Sequence, residues 1–185
     1  MRKRSSLFFL LILYSLLAFS FTVSASAAPE IEWQKTFGES SRDIGRSVQQ
    51  TSDGGYIVAG ETNSIFGEGW SDVYLIKTNS NGNKLWEKTF GDSANDYGYS
   101  VQQTSDGGYI VAGSTYITNG AGAENVYLVK TDNNGNKLWE KNFGGTGFDA
   151  GYSVQQTSDG GYIIAGELNG DIYLVKTNSN GNKLW

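Results

Sequence analysis

The chain has 185 residues, including 25 glycines, 11 tyrosines, 9 phenylalanines, 5 tryptophans and a single proline, and it contains no cysteine or histidine. The lack of cysteine excludes disulfides, thiolate metal sites and a lipoprotein anchor, and the lack of histidine excludes serine–histidine catalysis and imidazole-bound zinc. Acidic residues outnumber basic ones by 19 to 14, so the surface repels nucleic acid and no nucleic-acid partner is expected.

The first segment has the three-part layout of a secretory signal peptide. Arg2-Lys3-Arg4 is a basic start, Leu7 to Phe21 is an apolar run of 15 residues, and small residues follow up to Ala27. An uncleaved anchor is the weaker alternative, because a spanning helix needs about 20 apolar residues. We predict a signal peptide over residues 1–27, cleaved after Ala27 or one residue later. The protein is then secreted, extracellular or on the cell surface, without membrane contact after cleavage.

The remainder consists of three copies of one sequence, at residues 33–85, 86–138 and 139–185. Ser-Val-Gln-Gln-Thr-Ser-Asp-Gly-Gly-Tyr-Ile begins at Ser47 and recurs twice, in steps of 53 residues. The third copy is seven residues shorter, because the segment after Gly166 lacks most of a loop. A period near 50 residues is typical of propellers and solenoids.

Each copy is predicted to form four short antiparallel strands, which in the first copy are residues 45–51, 56–62, 72–79 and 84–90. Asp-Gly and Asn-Gly turns join the first strand to the second and the third to the fourth. The strands are apolar on both alternations, which predicts sheets covered on both faces. The predicted fold is therefore an all-β propeller of four-stranded antiparallel blades, with three repeats forming part of a ring. The alternative is a β-prism-like domain of three sheets.

Two stretches of the repeat carry a family resemblance: Thr-Ser-Asp-Gly-Gly-Tyr-Ile-Val-Ala-Gly at 51–60 and Tyr-Leu-Ile-Lys-Thr-Asn-Ser-Asn-Gly-Asn-Lys-Leu-Trp at 74–86. They resemble the tryptophan-docking repeat of quinoprotein-like β-propellers and the DGGYIVAG repeats of secreted bacterial and archaeal surface proteins. In that family a glycine ends the turn before the fourth strand, and a tryptophan four residues later docks between neighbouring blades. The pairs with this spacing are Gly82 and Trp86, Gly135 and Trp139, and Gly181 and Trp185. The resemblance implies a structural role for these tryptophans and says little about function, since one propeller architecture hosts many activities.

The sequence departs from that family in its number of repeats. Three blades are fewer than the usual minimum of about four. The sequence ends at Trp185, inside a predicted fourth strand, and Ile31 to Gly38 is an unattached copy of that strand. We therefore expect a truncated propeller, or half of a six-bladed ring in which a homodimer supplies the missing strands.

The loops that differ among the copies are predicted to share one face of the molecule. They join the second strand to the third and one repeat to the next. Rigid scaffolds carry binding residues on such loops, and exposed aromatic side chains there stack on sugars or anchor a protein. The candidate ligand-contacting residues are Phe66, Trp70, Tyr97, Tyr116 and Phe148. The alternative is that Trp70 and Tyr116 pack on the loop backbones.

Asp43, Asp96 and Asp149 recur just before the first strand of each copy. One interpretation is a ring of carboxylates that binds a cation or a polysaccharide. The structural interpretation is that each carboxylate accepts hydrogen bonds from nearby backbone amides and ties one repeat to the next. Recurrence in every copy favours the structural interpretation.

The sequence favours a non-catalytic binding module whose partner is an extracellular protein or a polysaccharide, with no cofactor and no metal. The alternative is an extracellular enzyme on a propeller scaffold, either a glycoside hydrolase or a quinoprotein-type oxidoreductase. Glu68, Asp72 and Glu124 are candidate hydrolase carboxylates by location only. Nothing in the chain matches the residues with which quinoprotein relatives hold pyrroloquinoline quinone and calcium, so no catalytic residue is predicted.

Overall fold

The computed structural model describes residues 30–38, 42–63, 70–117 and 123–185. The predicted signal peptide, its cleavage site, Phe66 and Glu68 lie outside the described residues. Within the described ranges the chain forms β-strands and no α-helix, so no described helix is long and apolar enough to cross a membrane. The compact unit is Glu32–Trp185.

The strands form three antiparallel sheets, one for each repeat, and in every sheet the neighbouring strands are consecutive in sequence. The first sheet contains β1 (Asp43–Gln50), β2 (Tyr56–Thr62), β3 (Asp72–Thr78) and β4 (Lys84–Phe90). The second contains β5 (Asp96–Gln103), β6 (Tyr109–Ile117), β7 (Ala123–Thr131) and β8 (Lys137–Phe143). The third contains β9 (Asp149–Gln156), β10 (Tyr162–Leu168) and β11 (Asp171–Thr177).

The all-β class and the predicted antiparallel strands are confirmed. In the first repeat β2 and β4 have the predicted bounds, β1 begins two residues earlier, at Asp43, and β3 ends at Thr78. The third sheet has three strands and the start of a fourth. Its last residues reach β11 through a bridge between Thr177 and Lys183 and a hydrogen bond from the Lys176 amide to the Trp185 carbonyl.

The turn between the third and fourth strands of each repeat is fixed by one side chain and one glycine. In the first sheet the Asn79 Oδ1 atom accepts the amides of Asn81 and Asn83, at 3.0 and 2.9 Å. Gly82 has a φ of 72°, in the left-handed region where a residue with a Cβ is strained. The Asn79 side chain and the left-handed glycine of the Asn81-Gly82 dipeptide therefore determine where the chain reverses, and the turn lies where the sequence predicts it.

Two apolar cores lie between the sheets, and the second sheet contributes to both. Tyr109 and Val111 of β6 face the first sheet, whereas Ile110 and Ala112 of the same strand face the third. Successive residues of a strand point to opposite faces, so β6 must be apolar on both alternations. This double burial is the physical reason for the apolar pattern read in the sequence.

The first and third sheets are covered by another sheet on one face only. On the opposite face of the first sheet lie residues 33–37, where the Trp33 ring packs on Tyr56 with centroids 5.7 Å apart. On the opposite face of the third sheet Ile172 and Leu174 are exposed. Neither surface is covered by another sheet, and the two are named the first outer face and the third outer face.

Candidate ligand-binding surface

Each first strand contains a β-bulge at the same point of its ladder. In β1, Gly45 pairs with Gly60 and Ser47 with Ala59, so the intervening residue has no residue opposite it. The same shift occurs in β5 and β9, between residues 98 and 100 and between 151 and 153. A bulge turns one side chain out of the regular alternation of the strand. The three bulge residues are Arg46, Tyr99 and Tyr152.

The bulges bring aromatic rings from the second and third sheets and a cation from the first sheet into one surface. Tyr97 and Tyr99 stack with centroids 6.1 Å apart and ring planes 6° from parallel. The Tyr152 ring centroid lies 5.5 Å from the Tyr99 ring centroid, and the Arg46 guanidinium carbon lies 5.8 Å from the Tyr99 centroid. We name these four residues the bulge surface. It crosses all three sheets.

Carboxylates from neighbouring strands border the bulge surface. Glu61 accepts two hydrogen bonds from the Arg46 guanidinium, at 2.9 and 3.0 Å. The Tyr152 hydroxyl donates to Glu167 at 3.3 Å. The buried Ser114 hydroxyl lies between Glu124, to which it donates, and the Tyr99 hydroxyl, 3.3 Å away. Each repeat thus places an acid beside its bulge residue.

Burial determines the protonation of these groups. Desolvation raises the pKa of Tyr97, Tyr99 and Tyr152, so all three phenols are neutral hydrogen-bond donors at neutral pH. Burial also raises the pKa of Glu124, and the hydrogen bond from Ser114 opposes that shift only in part. The hydrogen bond to Glu61 raises the pKa of Arg46. The surface therefore offers neutral ring faces bordered by hydroxyl donors and carboxylate acceptors.

Of the four predicted ligand-contacting residues that the structure describes, Tyr97 alone belongs to the bulge surface. Trp70 and Phe148 are exposed on connecting segments, and Tyr116 is exposed near the end of β6. These regions contact each other between sheets, because Ser71 bridges Asn95 and Glu124 of β7 bridges Phe148. Trp70 is 84% exposed.

The recurring aspartates hold the loops between sheets. Asp96 is buried and its Oδ2 atom accepts the Asp92 amide at 3.0 Å. Asp149 is buried as well and accepts the amides of Gly145 at 2.7 Å and Asn169 at 3.2 Å. Burial raises the pKa of Asp96. Asp43 lies beside Gly38, where an added Cβ would approach the Asp43 Oδ2 atom to 2.0 Å.

The two candidate hydrolase carboxylates within the described residues are not at an open surface. Asp72 and Glu124 are buried, with 3% and 5% of their surface exposed. Across the described ranges, no group of three or more acidic, histidine or cysteine side chains is placed to hold a metal ion.

The tryptophans of the fourth strands pack on the next repeat. Trp86 contacts Tyr109, with centroids 5.7 Å apart, and an added Cβ on Gly135 would lie 2.7 Å from the Trp86 ring. Trp139 meets Tyr162 and Gly181 in the same way, with centroids 5.8 Å apart and a Cβ distance of 2.6 Å. Each tryptophan therefore packs on the turn glycine of the following copy. Trp185 is exposed.

Sequence reasoning missed Arg46, Tyr99 and Tyr152, although a signal was present. The segment Asp-x-Gly-x-Ser-Val-Gln-Gln recurs in every copy, and the residue between its glycine and serine is arginine once and tyrosine twice. A variable position inside a repeated strand indicates a side chain that the common core does not constrain.

Comparisons with known proteins give no family assignment. No family model matches the chain, and no curated protein matches it. A solved structure of a protein of unknown function from Bacteroides caccae is similar at a TM-score of 0.30 and 14% sequence identity. The match covers 77% of this chain and 66% of that one.

Proposed function

We propose that the chain is a secreted or cell-surface repeat module of the β-propeller type that binds a polysaccharide and does not catalyse a reaction. One observation carries this proposal: three bulges at equivalent positions assemble tyrosine rings, an arginine and bordering carboxylates into one surface. The bulge has the same position in all three sheets, but its side chain is arginine in one and tyrosine in two. A residue that differs while the surrounding strand stays the same suits a binding role better than a structural one.

The propeller arrangement is supported by the contacts between first strands. The Val101 amide donates to the Ser47 hydroxyl at 3.2 Å, and the Val154 amide donates to the Ser100 hydroxyl at the same distance. A second series uses glutamine, with the Gln103 amide donating to the Gln49 side chain at 2.6 Å. First strands that lie side by side are expected for sheets radiating from a common axis. In that arrangement the bulge surface lies at one end of the axis.

The chemistry of the bulge surface suits a neutral sugar chain. The apolar C–H face of a pyranose packs on an aromatic ring, while its hydroxyls pair with phenols and carboxylates at the ring edges. Glu167, which is only partly buried, supplies such an acceptor beside Tyr152, whereas the buried Glu61 and Glu124 position Arg46 and Ser114. The chain is acidic overall, with a formal charge of −5. Acidic polysaccharides are repelled by such a surface. Neutral polysaccharides are therefore the expected ligand class, and a protein partner is the alternative.

Binding to a panel of neutral and acidic polysaccharides, measured by affinity electrophoresis and calorimetry, tests this proposal. We expect a neutral member to bind, and Tyr152→Ala to weaken that binding at least tenfold. Tyr152→Phe keeps the ring and loses only the hydroxyl contact with Glu167, so most of the affinity remains.

The matched control is Tyr116→Ala, which removes an exposed tyrosine outside the bulge surface. Equal losses from Tyr116→Ala and Tyr152→Ala would contradict the assignment of the surface. Absence of binding to every polysaccharide in the panel would contradict the ligand class.

A further inference from the structure

We infer that the third outer face is an interaction surface for a second copy of this chain, which docks through its first outer face. The chain makes this same contact twice within itself, between its first and second sheets and between its second and third. Each outer face carries one half of that contact. The inference does not depend on the proposed ligand.

The third outer face repeats side chains that are fully buried in the other sheets. Ile172 occupies the repeat position of Val73 and Val126, and Leu174 that of Leu75 and Leu128. All four equivalents are 0% exposed, whereas Ile172 is 96% exposed and Leu174 is 47% exposed. Apolar side chains in a regular sheet at these levels of exposure are typical of an uncovered interface.

The first outer face carries the complementary half. Val48 is 65% exposed, while its equivalents Val101 and Val154 are only 6% and 4% exposed, because the preceding sheet covers them. Beside Val48 runs a largely apolar groove of about 390 Å³, whose lining includes Tyr56 and Val58. In the internal interfaces the second and third strands of the preceding sheet cover this position.

Residues 33–37 indicate how the second copy is oriented. Trp33 packs on Tyr56 as Trp86 packs on Tyr109, and an added Cβ on Gly82 would lie 2.7 Å from the Trp33 ring. Residues 33–37 thus contact the first sheet in the way that β4 contacts the second sheet. In the proposed dimer these residues become the fourth strand of the other copy's third sheet, which supplies the first three strands.

The free edge of β11 is where residues 33–37 of the second copy would pair. In the described chain that edge is paired only at its end, where Lys176 and Thr177 meet residues 183–185. The register of β3 with β4, in which Val73 pairs with Phe90, places Ile172 opposite Phe37 of the second copy. Trp33 lies on Gly82 of its own chain, and Trp185 is its equivalent by repeat. On docking, Trp185 of one copy and Trp33 of the second therefore compete for the same place on Gly82 of the second copy.

The contact is head-to-tail, so it closes into a ring or continues as a filament. Two copies contribute six sheets, a number within the range of about four to eight found in closed propellers. A dimer is therefore the expected assembly, with both outer faces covered.

Light scattering after gel filtration of residues 30–185, which contain the whole compact unit, tests the inference. We expect the mass of a dimer at tens of micromolar. The double variant Ile172→Glu/Leu174→Glu and the variant Val48→Glu should each be monomeric, since a buried carboxylate opposes docking. The control Leu138→Glu should stay dimeric, because Leu138 is similarly exposed but belongs to the second sheet, which has no outer face. Circular dichroism establishes that each variant is folded.

Mixing the two monomeric variants distinguishes the head-to-tail contact from any symmetric one. The Val48→Glu chain keeps an intact third outer face and the double variant keeps an intact first outer face, so an equimolar mixture retains one of the two contacts of the ring. We expect a heterodimer that forms at higher concentrations than the parent dimer. A monomeric parent chain, a Val48→Glu variant that still dimerises, or a mixture that stays monomeric would each overturn the inference.

Discussion

At the scale of single residues, a lysine of the third strand holds the first hairpin of every repeat, and this lysine is buried in the first two repeats. The Lys77 ammonium is 2.9 Å from the Asp53 carboxylate and donates to the Thr78 carbonyl at 2.8 Å. Asp53 also accepts the Gly55 amide at 3.0 Å. The equivalent ion pairs, Lys130 with Asp106 and Lys176 with Asp159, are both 2.9 Å long. A charge from the third strand thus fixes a turn that lies 24 residues earlier in the first two copies and 17 residues earlier in the third.

This arrangement predicts unequal effects from removing its two members. Asp106→Asn leaves the Lys130 ammonium buried without its counter-ion, and we expect a loss of about 1–3 kcal/mol, below the range for fully buried pairs because Asp106 is more than half exposed. Lys130→Met removes the buried charge together with its desolvation cost and should cost less. Urea denaturation of both variants measures the difference. A larger loss for Lys130→Met would contradict the account.

The same carboxylates predict an acid limit to stability. Hydrogen bonds from Thr51, Lys77 and the Gly55 amide hold the pKa of Asp53 well below its usual range, and Thr157, Lys176 and the Gly161 amide do the same for Asp159. A group whose pKa is lowered by folding stabilises the protein above its unfolded pKa, about 3.9, and loses that contribution as the pH falls towards its folded pKa.

We therefore expect the urea midpoint to fall as the pH is lowered from about 4 to 2. The triple variant with asparagine at positions 53, 106 and 159 should show a shallower fall over this window. Asp96 and Glu124 have the opposite effect on the pH dependence of stability. Burial raises the pKa of both groups, so their ionisation at rising pH lowers the free energy of unfolding. Parallel curves for the two proteins would show that the turn carboxylates do not carry the acid dependence.

At the scale of the element, adjacent sheets are joined by a contact that recurs in the chain. In this contact, or join, a fourth-strand tryptophan packs on the glycine of the turn between the third and fourth strands of the next sheet. Gly135 is required there for two reasons, its φ of 78° and the Trp86 ring above it. Gly107 has a similar φ of 83°, but the nearest atom to an added Cβ is 4.0 Å away. The two glycines therefore have similar backbone angles, but only Gly135 has the Trp86 ring and the Lys88 side chain close to its Cβ position.

This pair separates backbone strain from loss of the join. Gly107→Ala should cost about 1–2 kcal/mol, the penalty for a left-handed residue with a Cβ. Gly135→Ala adds the displacement of Trp86 and should cost about 1–3 kcal/mol more, as for other overpacked contacts. Chemical denaturation of the two variants gives the difference, and equal losses would mean that Trp86 contributes little at this join.

The strands were predictable from the sequence because Asp-Gly and Asn-Gly turns mark each reversal and the strands between them are short and apolar. The bulges were not, since one extra residue at Arg46 or Tyr99 leaves the apolar pattern of the strand intact. The ion pair of Lys77 with Asp53 was missed for a related reason. A lysine in a strand indicates a solvent-facing side chain unless the turn that approaches it is known, and that approach is a property of the folded sheet.

At the scale of the whole molecule, side chains are most completely buried in the second sheet, which lies between the other two. Ile110, Ala112, Val126 and Leu128 of the second sheet are 0% exposed, and both cores include residues of β6 and β7. Regions with the most buried contacts open only by global unfolding, whereas sheets covered on one face open locally. Stability should therefore fall from the second sheet towards both outer faces.

Amide hydrogen exchange followed by mass spectrometry measures this gradient. We expect the slowest exchange in β6 and β7, faster exchange in β11, and the fastest in residues 33–37, which form no strand of their own sheet. In the double variant Ile172→Glu/Leu174→Glu the protection of β6 and β7 should persist. Uniform protection across the three sheets would contradict the gradient.

The sameness of the Trp86–Gly135 and Trp139–Gly181 joins has a consequence for how such a chain varies over generations. Unequal crossing-over between near-identical coding segments inserts or deletes a whole 53-residue unit in frame. Every junction in the product is then of a kind the parent already contained, so the new chain needs no compensating substitution in its cores. The residue at the bulge already differs among the units, arginine once and tyrosine twice, so a gene of this design can alter the number of units and the side chains of the bulge surface independently.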